Sequence, residues 1–285
     1  MTLGAAQILA GSAGWRLGRQ PGPDLAALVI GRPVEEVAAL LPRLFNLCRM
    51  AQSTAACMAL GLRCEGDPGA EVIGDHLARI FVTLRRAFGM ASLRPDVAGA
   101  FGPGGLPRDP AGLTAWLAAD LPAADLARAV AQTFPVGMAV CRPLPSPQGA
   151  QTGAFENSPA GRQASHPLLR AIEADQGRGP LWRYLGMLAD LESALAGHLP
   201  APRRLPDGTA IVQAARGAYA LRLDQSDGRV TIMLRVTPTD HQLAPGGALE
   251  QALAGLPAGR PDLALRLVAL HDPCIPVTLA EPCHA

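Results

Sequence analysis

From Val34 onward the apolar residues Val34, Val37, Leu41, Leu44, Cys48, Ala51, Ala55, Met58 and Leu62 recur at alternating steps of three and four. That spacing predicts one face of a long helical stretch. Pro33 precedes it, and Glu35 and Glu36 lie near the positive end of the helix dipole, which marks its start. Pro42 falls inside the stretch and predicts a kink, or the start of a second helix, at that point. The same period predicts a helix over 71–88, with Ile73, Leu77, Ile80, Leu84 and Phe88 inward and Gly89 as its stop. Shorter helices are expected after Pro110, Pro122 and Pro167. Another is expected after Pro180, where Leu181, Tyr184, Leu188, Leu191, Leu195 and Leu199 mark a face.

The period changes late in the chain. Segments 209–215 and 218–223 read as strands, and Ser226-Asp227-Gly228 is a turn leading into a third strand over 229–237. Two short helices are predicted over 247–256 and 261–270. Between the helical parts, 142–165 turns to Pro, Ser, Gln and Gly and is expected to be a loop free to move. No internal repeat is present. Helices dominate and one small antiparallel unit near 209–237 follows them, so the expected class is α+β, in a single domain over 1–285.

Composition narrows the partners. The chain has 25 basic and 24 acidic residues, a net charge of +1, and every basic residue is Arg. A nucleic-acid partner is not expected, because a phosphate-binding surface needs a clustered excess of cations. No apolar run approaches the length of a membrane span. The apolar segment 1–15 lacks a basic n-region, so no signal peptide is expected and the expected location is the cytoplasm. The six cysteines are then expected as thiols, and no CxxC pair supports a zinc ribbon or a thioredoxin-type site.

Two places carry candidate chemistry. One is Arg43-Leu-Phe-Asn-Leu-Cys48-Arg-Met-Ala-Gln52 on the first helical stretch. The other is the run His271-Asp-Pro-Cys274-Ile-Pro-Val-Thr-Leu-Ala-Glu-Pro-Cys283-His284-Ala285. Thiolates bind iron, nickel and zinc, and an Asp-Pro turn can aim Cys274 away from its helix. Spacing alone leaves Cys48 on an apolar stripe, where a free cysteine is commonly structural. Cys57, Cys64 and Cys141 have no companions in sequence and read as filler. His76, His166 and His198 read as surface or core histidines. By the same token Arg216 reads as a surface strand arginine and Asp272 as a helix-to-turn cap.

Taken together, the two segments resemble the metal motifs of nickel–iron hydrogenase large subunits, Arg-x-Cys-Gly-x-Cys-x-x-x-His and Asp-Pro-Cys-x-x-Cys-x-x-His. Between them, Ala214-Ala215-Arg216-Gly217-Ala218 resembles that family's Ala-Pro-Arg-Gly-Ala segment. Val236-Thr237-Pro238-Thr239-Asp240-His241-Gln242-Leu243-Ala244-Pro245 resembles its Val-x-Pro-Thr-Thr-Trp-Asn-x-x-Pro. The segment 151–162, ending in Arg162, resembles its Glu-Thr-Gly-Pro-Leu-Ala-Arg block with changes. The resemblance implies a reduced large-subunit-like fold.

Departures from the pattern redirect the function that the resemblance implies. Phe45 and Gln52 stand where the first motif has cysteine and histidine, and Val277 stands at the second cysteine of the last motif. Two of the four thiolates that hold nickel in the family are gone, so no nickel and no hydrogenase activity are expected. Cys48 and Cys274 remain to hold an Fe(CN)2(CO) fragment. Arg216 corresponds to the arginine over the metal site, where it can donate to a cyanide. Asp272 corresponds to the acidic residue that orients it. Pro238 and Thr239 are placed to serve the other cyanide, although Asp240, replacing a hydroxyl residue, would repel it. A short large-subunit-like chain with half the cysteines is similar to the HupK/HoxV-type hydrogenase accessory proteins. That similarity implies a non-enzymatic maturation scaffold that carries the iron fragment transiently, with hydrogenase maturation proteins and the large-subunit precursor as partners. The chain ends at Ala285 without the further peptide of catalytic precursors, as expected of a protein never loaded with nickel. Two alternatives stay open: a reshaped redox site in which Cys283 and His284 replace lost ligands, and a metal-free docking module.

Overall fold

The computed structural model describes residues 4–11, 14–44, 47–280. The chain opens with a hairpin of β1 (Gly4–Gly11) and β2 (Gly14–Pro21), in which Ala6, Ile8 and Trp15 point into the core. This hairpin has no counterpart in the expected pattern. Its first strand, Gly-Ala-Ala-Gln-Ile-Leu-Ala-Gly, is poor in residues that favour strands, so its alternation is faint.

Helices α1 (Leu25–Val29), α2 (Val34–Leu44) and α3 (Arg49–Leu60) follow. The predicted break at Pro42 is displaced. Pro42 lies inside α2, and the chain leaves the helix between Leu44 and Arg49. Phe45 lies outside the described residues. One long helical run then comprises α4 (Pro68–Ala78), a π-turn (Arg79–Thr83) and α5 (Leu84–Ala87), stopped at Gly89 with φ +72°. Short helices α6 (Val97–Phe101), α7 (Pro110–Ala118), α8 (Pro122–Thr133), α9 (Pro159–Arg162) and α10 (Pro167–Gln176) lead to α11 (Pro180–Leu195). Four of these, α7 to α10, begin at a proline, whose missing N–H costs nothing at that position.

Helix α11 corrects a second expectation. It has no single apolar face: Trp182, Tyr184, Leu185, Leu188 and Leu191 are all buried, and α11 forms the centre of the main core, while Leu195 at its end is exposed. The spacing located the helix, but a helix buried on all sides has no one face for that spacing to mark. Gly186 lets Ala160 of α9 pack directly against the helix; a Cβ there would fall 2.2 Å from that of Ala160.

The second sheet is antiparallel, ordered β3 (Arg203–Arg204), β4 (Ala210–Ala214), β5 (Gly217–Ser226) and β6 (Arg229–Val236). Its β5–β6 turn is the predicted Ser-Asp-Gly, with Asp227 at φ +52° and Gly228 at φ +73°. A second core, including Val37, Leu41, Ala55, Val212 and Leu221, lies between this sheet and α2 and α3. Helices α12 (Pro238–Gln242), α13 (Ala248–Ala254) and α14 (Pro261–His271) precede β7 (Val277–Leu279). Strand β7 pairs in parallel with β1, so the two ends of the chain share one sheet, ordered β2-β1-β7.

The segment 142–165 is not a free loop in its second half. Glu156, Asn157, Ser158, Pro159 and Ala160 are buried. Asn157 donates to and accepts from the backbone of Ala218 at 2.9 and 2.7 Å, and so mimics an extra strand residue beside β5. Its Glu156 forms a buried ion pair with Arg183 on α11. Its Pro, Ser, Gln and Gly content marked this segment as a loop free to move, yet Glu156, Asn157 and Ser158 each have a polar partner, which is the condition for burying them.

Candidate metal centre

Cys48 occupies the position just before α3 in the left-handed conformation (φ 56°, ψ 39°). A thiol cannot cap a helix as a serine or aspartate does. Glu71 of α4 caps it instead: its carboxylate accepts from the Met50 and Ala51 N–H groups at 3.0–3.2 Å. Gln52 is buried, and its Nε2 donates back to the Leu47 carbonyl at 2.9 Å, fixing the residue before Cys48.

Cys274 approaches from the other end of the chain. Asp272 ends α14 in the left-handed conformation (φ 49°) and turns the backbone, and the Cys274 N–H donates to Thr239 Oγ1 at 2.8 Å. The Cys48 and Cys274 thiols act on each other. The contact with Cys48 lowers the Cys274 thiol to about 7; burial opposes this, and the Arg216 charge and the Thr239 hydroxyl assist it. The Cys48 thiol is raised in turn by the contact with Cys274 and by burial. The pair thus gives up its first proton readily and holds the second, as expected of two acids sharing one site.

Arg216 lies in the β4–β5 turn and is only 5% exposed, so it is not a surface strand arginine. Its Nη2 meets Asp272 Oδ2 at 2.8 Å, its Nε donates to the Asp272 carbonyl at 3.1 Å, and its Nη1 reaches Cys48 Sγ at 3.6 Å. Burial alone would lower its pKa, but Asp272, the thiols and Asp75 outweigh it and keep the guanidinium charged. Asp272 is therefore both the helix end and the partner of this arginine.

Helix α4 and the π-turn supply residues that motif reading missed. Glu71, Asp75 and Arg79 stand four residues apart on one face. Glu71 caps α3, Asp75 Oδ1 lies 3.7 Å from Arg216 Nη1, and Arg79 Nε lies 3.3 Å from Asp272 Oδ2. The spacing is visible in sequence, but nothing there says which way the face points. Arg162, which ends the 151–162 block, pairs with fully buried Asp190 at 2.5 Å; His76 binds the same carboxylate at 2.8 Å.

Pro238 opens α12, and the Thr239 hydroxyl accepts from the Cys274 N–H. The Asp240 carboxylate forms a capping box with Thr237 and an ion pair with Arg19. A cleft of about 370 Å³, whose lining includes Arg19, Arg235, Thr239 and Asp240, opens onto Cys274. Cys283 and His284 lie outside the described residues. Among the described residues, no three His, Cys, Asp or Glu side chains gather as a metal site.

Two soft thiol donors beside a fixed guanidinium form a donor set that can hold a thiophilic metal ion. Comparison with known proteins agrees with the fold and decides the family. No family model matches the chain. The hydrogenase expression/formation protein HupK of Rhodobacter capsulatus is 43% identical over 275 residues, covering 93% of this chain and 92% of the relative. The chain belongs to the HupK family of hydrogenase expression/formation proteins. Among solved structures, the chain is similar to the reduced Ni-Fe-Se hydrogenase from D. vulgaris Hildenborough. The TM-score is 0.54 at 14% identity, with 92% of this chain and 93% of that one covered. The Ni-Fe-Se hydrogenase from Desulfomicrobium baculatum in its reduced, active form gives 0.53 at 13% identity, with coverage of 92% and 93%. The HupK-family chain therefore has the α+β, mainly helical fold of a hydrogenase large subunit. No helix among its described residues is long and apolar enough to cross a membrane.

Proposed function

We propose that this HupK-family chain is a non-enzymatic assembly scaffold in the cytoplasm that carries an Fe(CN)2(CO) fragment, without nickel, before its transfer to a hydrogenase large subunit. The observation that carries the reading is the meeting of Cys48 and Cys274, 226 positions apart in sequence, as a thiol pair under the charged Arg216. Two protein thiolates would hold the cargo iron, Arg216 would donate to one cyanide and Thr239 would serve the other. So few protein ligands suit a site that must release what it binds. Hydrogenase maturation proteins are the expected donors, and the large-subunit precursor is the expected acceptor.

Infrared spectroscopy of protein purified without oxygen, from cells with intact hydrogenase maturation genes, tests this directly. Cyanide and carbon monoxide bands are expected, and they should vanish in Cys48→Ser and Cys274→Ser variants. Bands at full occupancy in Cys48→Ser would overturn the ligand set. Metal-free protein in good yield, without bands, would leave a docking module for maturation proteins.

A further inference from the structure

Outside the site just described, α3 carries a second pair of thiols at its far end. Cys57 lies in its last turns, about 13 Å along the axis from Cys48 at 1.5 Å per residue. Gly61, at φ +72°, ends the helix, with Leu62 N–H donating to the Cys57 carbonyl at 2.8 Å. This turn folds the chain back, so that the Cys64 thiol lies over α3, 3.6 Å from the carbonyl of Thr54, which is one helical turn before Cys57, and the two thiols act on each other. Two residues that looked companionless in sequence are thus neighbours. Cys64 is exposed and Cys57 partly so. Cys141 shows the contrast, being 2% exposed with its thiol spent on the Ala248 carbonyl at 3.0 Å.

We infer that Cys57 and Cys64 form a reversible redox site, a dithiol that is oxidised to an intramolecular disulfide by low-molecular-weight disulfides such as oxidised glutathione. The Cys64 thiolate attacks one sulfur of the small disulfide and expels one thiolate, forming a mixed disulfide. The Cys57 thiolate then attacks the Cys64 sulfur and expels the second. Two electrons pass from the protein to the small disulfide, and the two thiol protons end on the two released thiols. Burial raises the Cys57 thiol, which leaves exposed Cys64 to attack first and Cys57 to resolve. The closed bond staples the chain leaving α3 onto the helix whose other end presents Cys48.

Trypsin supplies a direct readout, because it cleaves after Arg63, between the two cysteines. Protein in a Cys48→Ser/Cys274→Ser background is equilibrated with oxidised and reduced glutathione at graded ratios, alkylated, digested and weighed. Peptides 50–63 and 64–79 should appear joined, two hydrogens lighter than their sum, and should separate again as reduced glutathione rises. With Cys57→Ser added, only a glutathione adduct on Cys64 is expected. Separately alkylated peptides at every ratio, or a Cys64–glutathione adduct that persists while Cys57 is intact, would overturn the inference.

Discussion

Arg216 holds Asp272 at two points, its side chain at 2.8 Å and its backbone carbonyl at 3.1 Å. The side-chain contact is an ion pair; the backbone contact satisfies a carbonyl left free at the end of α14. One guanidinium therefore fixes both the charge and the position of the turn that delivers Cys274. It also spans to Cys48 on the opposite wall.

The first prediction concerns the acidity this arrangement imposes. Cys274 is lowered to about 7, with Cys48, Arg216 and Thr239 all favouring the thiolate. Its alkylation rate, followed by mass spectrometry against pH, should have its midpoint near neutrality. Arg216→Met removes a positive charge, so the midpoint should move up by about one pH unit or more, and alkylation at pH 7 should slow several-fold. Thr239→Val and Cys48→Ser should move it in the same direction. An unchanged midpoint in all three would refute the arrangement.

The second prediction concerns the buried carboxylate of Asp190. Burial acts to raise its pKa, but Arg162 and His76 outweigh it and hold the group well below the usual carboxylate range. A carboxyl depressed on folding contributes stability above its unfolded value near 4, and that contribution is lost as pH falls toward the folded value. Urea midpoints should therefore drop steeply below about pH 4. Asp190→Asn leaves Arg162 buried without its charge partner and should cost about 3–5 kcal/mol at pH 7. Its acid-side decline should be shallower than that of the parent.

How much was legible before folding depends on where each signal lies. Amphipathic helices such as α2 and the long α4 run read clearly, as did the β5–β6 hairpin with its Asp-Gly turn. The β1–β2 hairpin did not, because glycine and alanine give little strand signal. Cys48, Arg216, Thr239, Asp272 and Cys274 were legible only through four motif blocks in order. Asp75, Glu71 and Arg79 were not, because a helix face of charged residues reads as solvated until a partner is known. Cys57 and Cys64 escaped for a related reason: their proximity depends on the left-handed turn at Gly61.

The third prediction tests Glu71 as the cap of α3. Its carboxylate takes two N–H groups that Cys48 cannot satisfy, at the positive end of the helix dipole. Glu71→Ala should destabilise by about 1–2 kcal/mol in urea unfolding, and Glu71→Gln by less. Hydrogen exchange should rise first at Met50 and Ala51. Protection at those two amides equal to that of the parent would show that Glu71 is not their partner.

The fourth prediction turns on Gly217, the residue after Arg216. Its φ of +135° lies in a region open to glycine, and an added Cβ would fall 2.6 Å from the Asn157 carbonyl oxygen and 2.5 Å from its side-chain oxygen. Neither the turn nor the 142–165 segment can move freely, because Asn157 is bonded to Ala218 on both edges and His241 completes its partners at 3.0 Å. Strain and overpacking add, so Gly217→Ala should destabilise by about 3 kcal/mol or more. The same change should displace Arg216 and raise the Cys274 alkylation midpoint even in the fraction that stays folded. A control at Gly228, in the β5–β6 turn, separates the two effects. It has φ +73° and open space around it, so Gly228→Ala should cost stability through backbone strain alone and leave Cys274 unchanged. If Gly217→Ala altered stability alone and left the thiol untouched, Arg216 would be held by Asp272 without help from the turn.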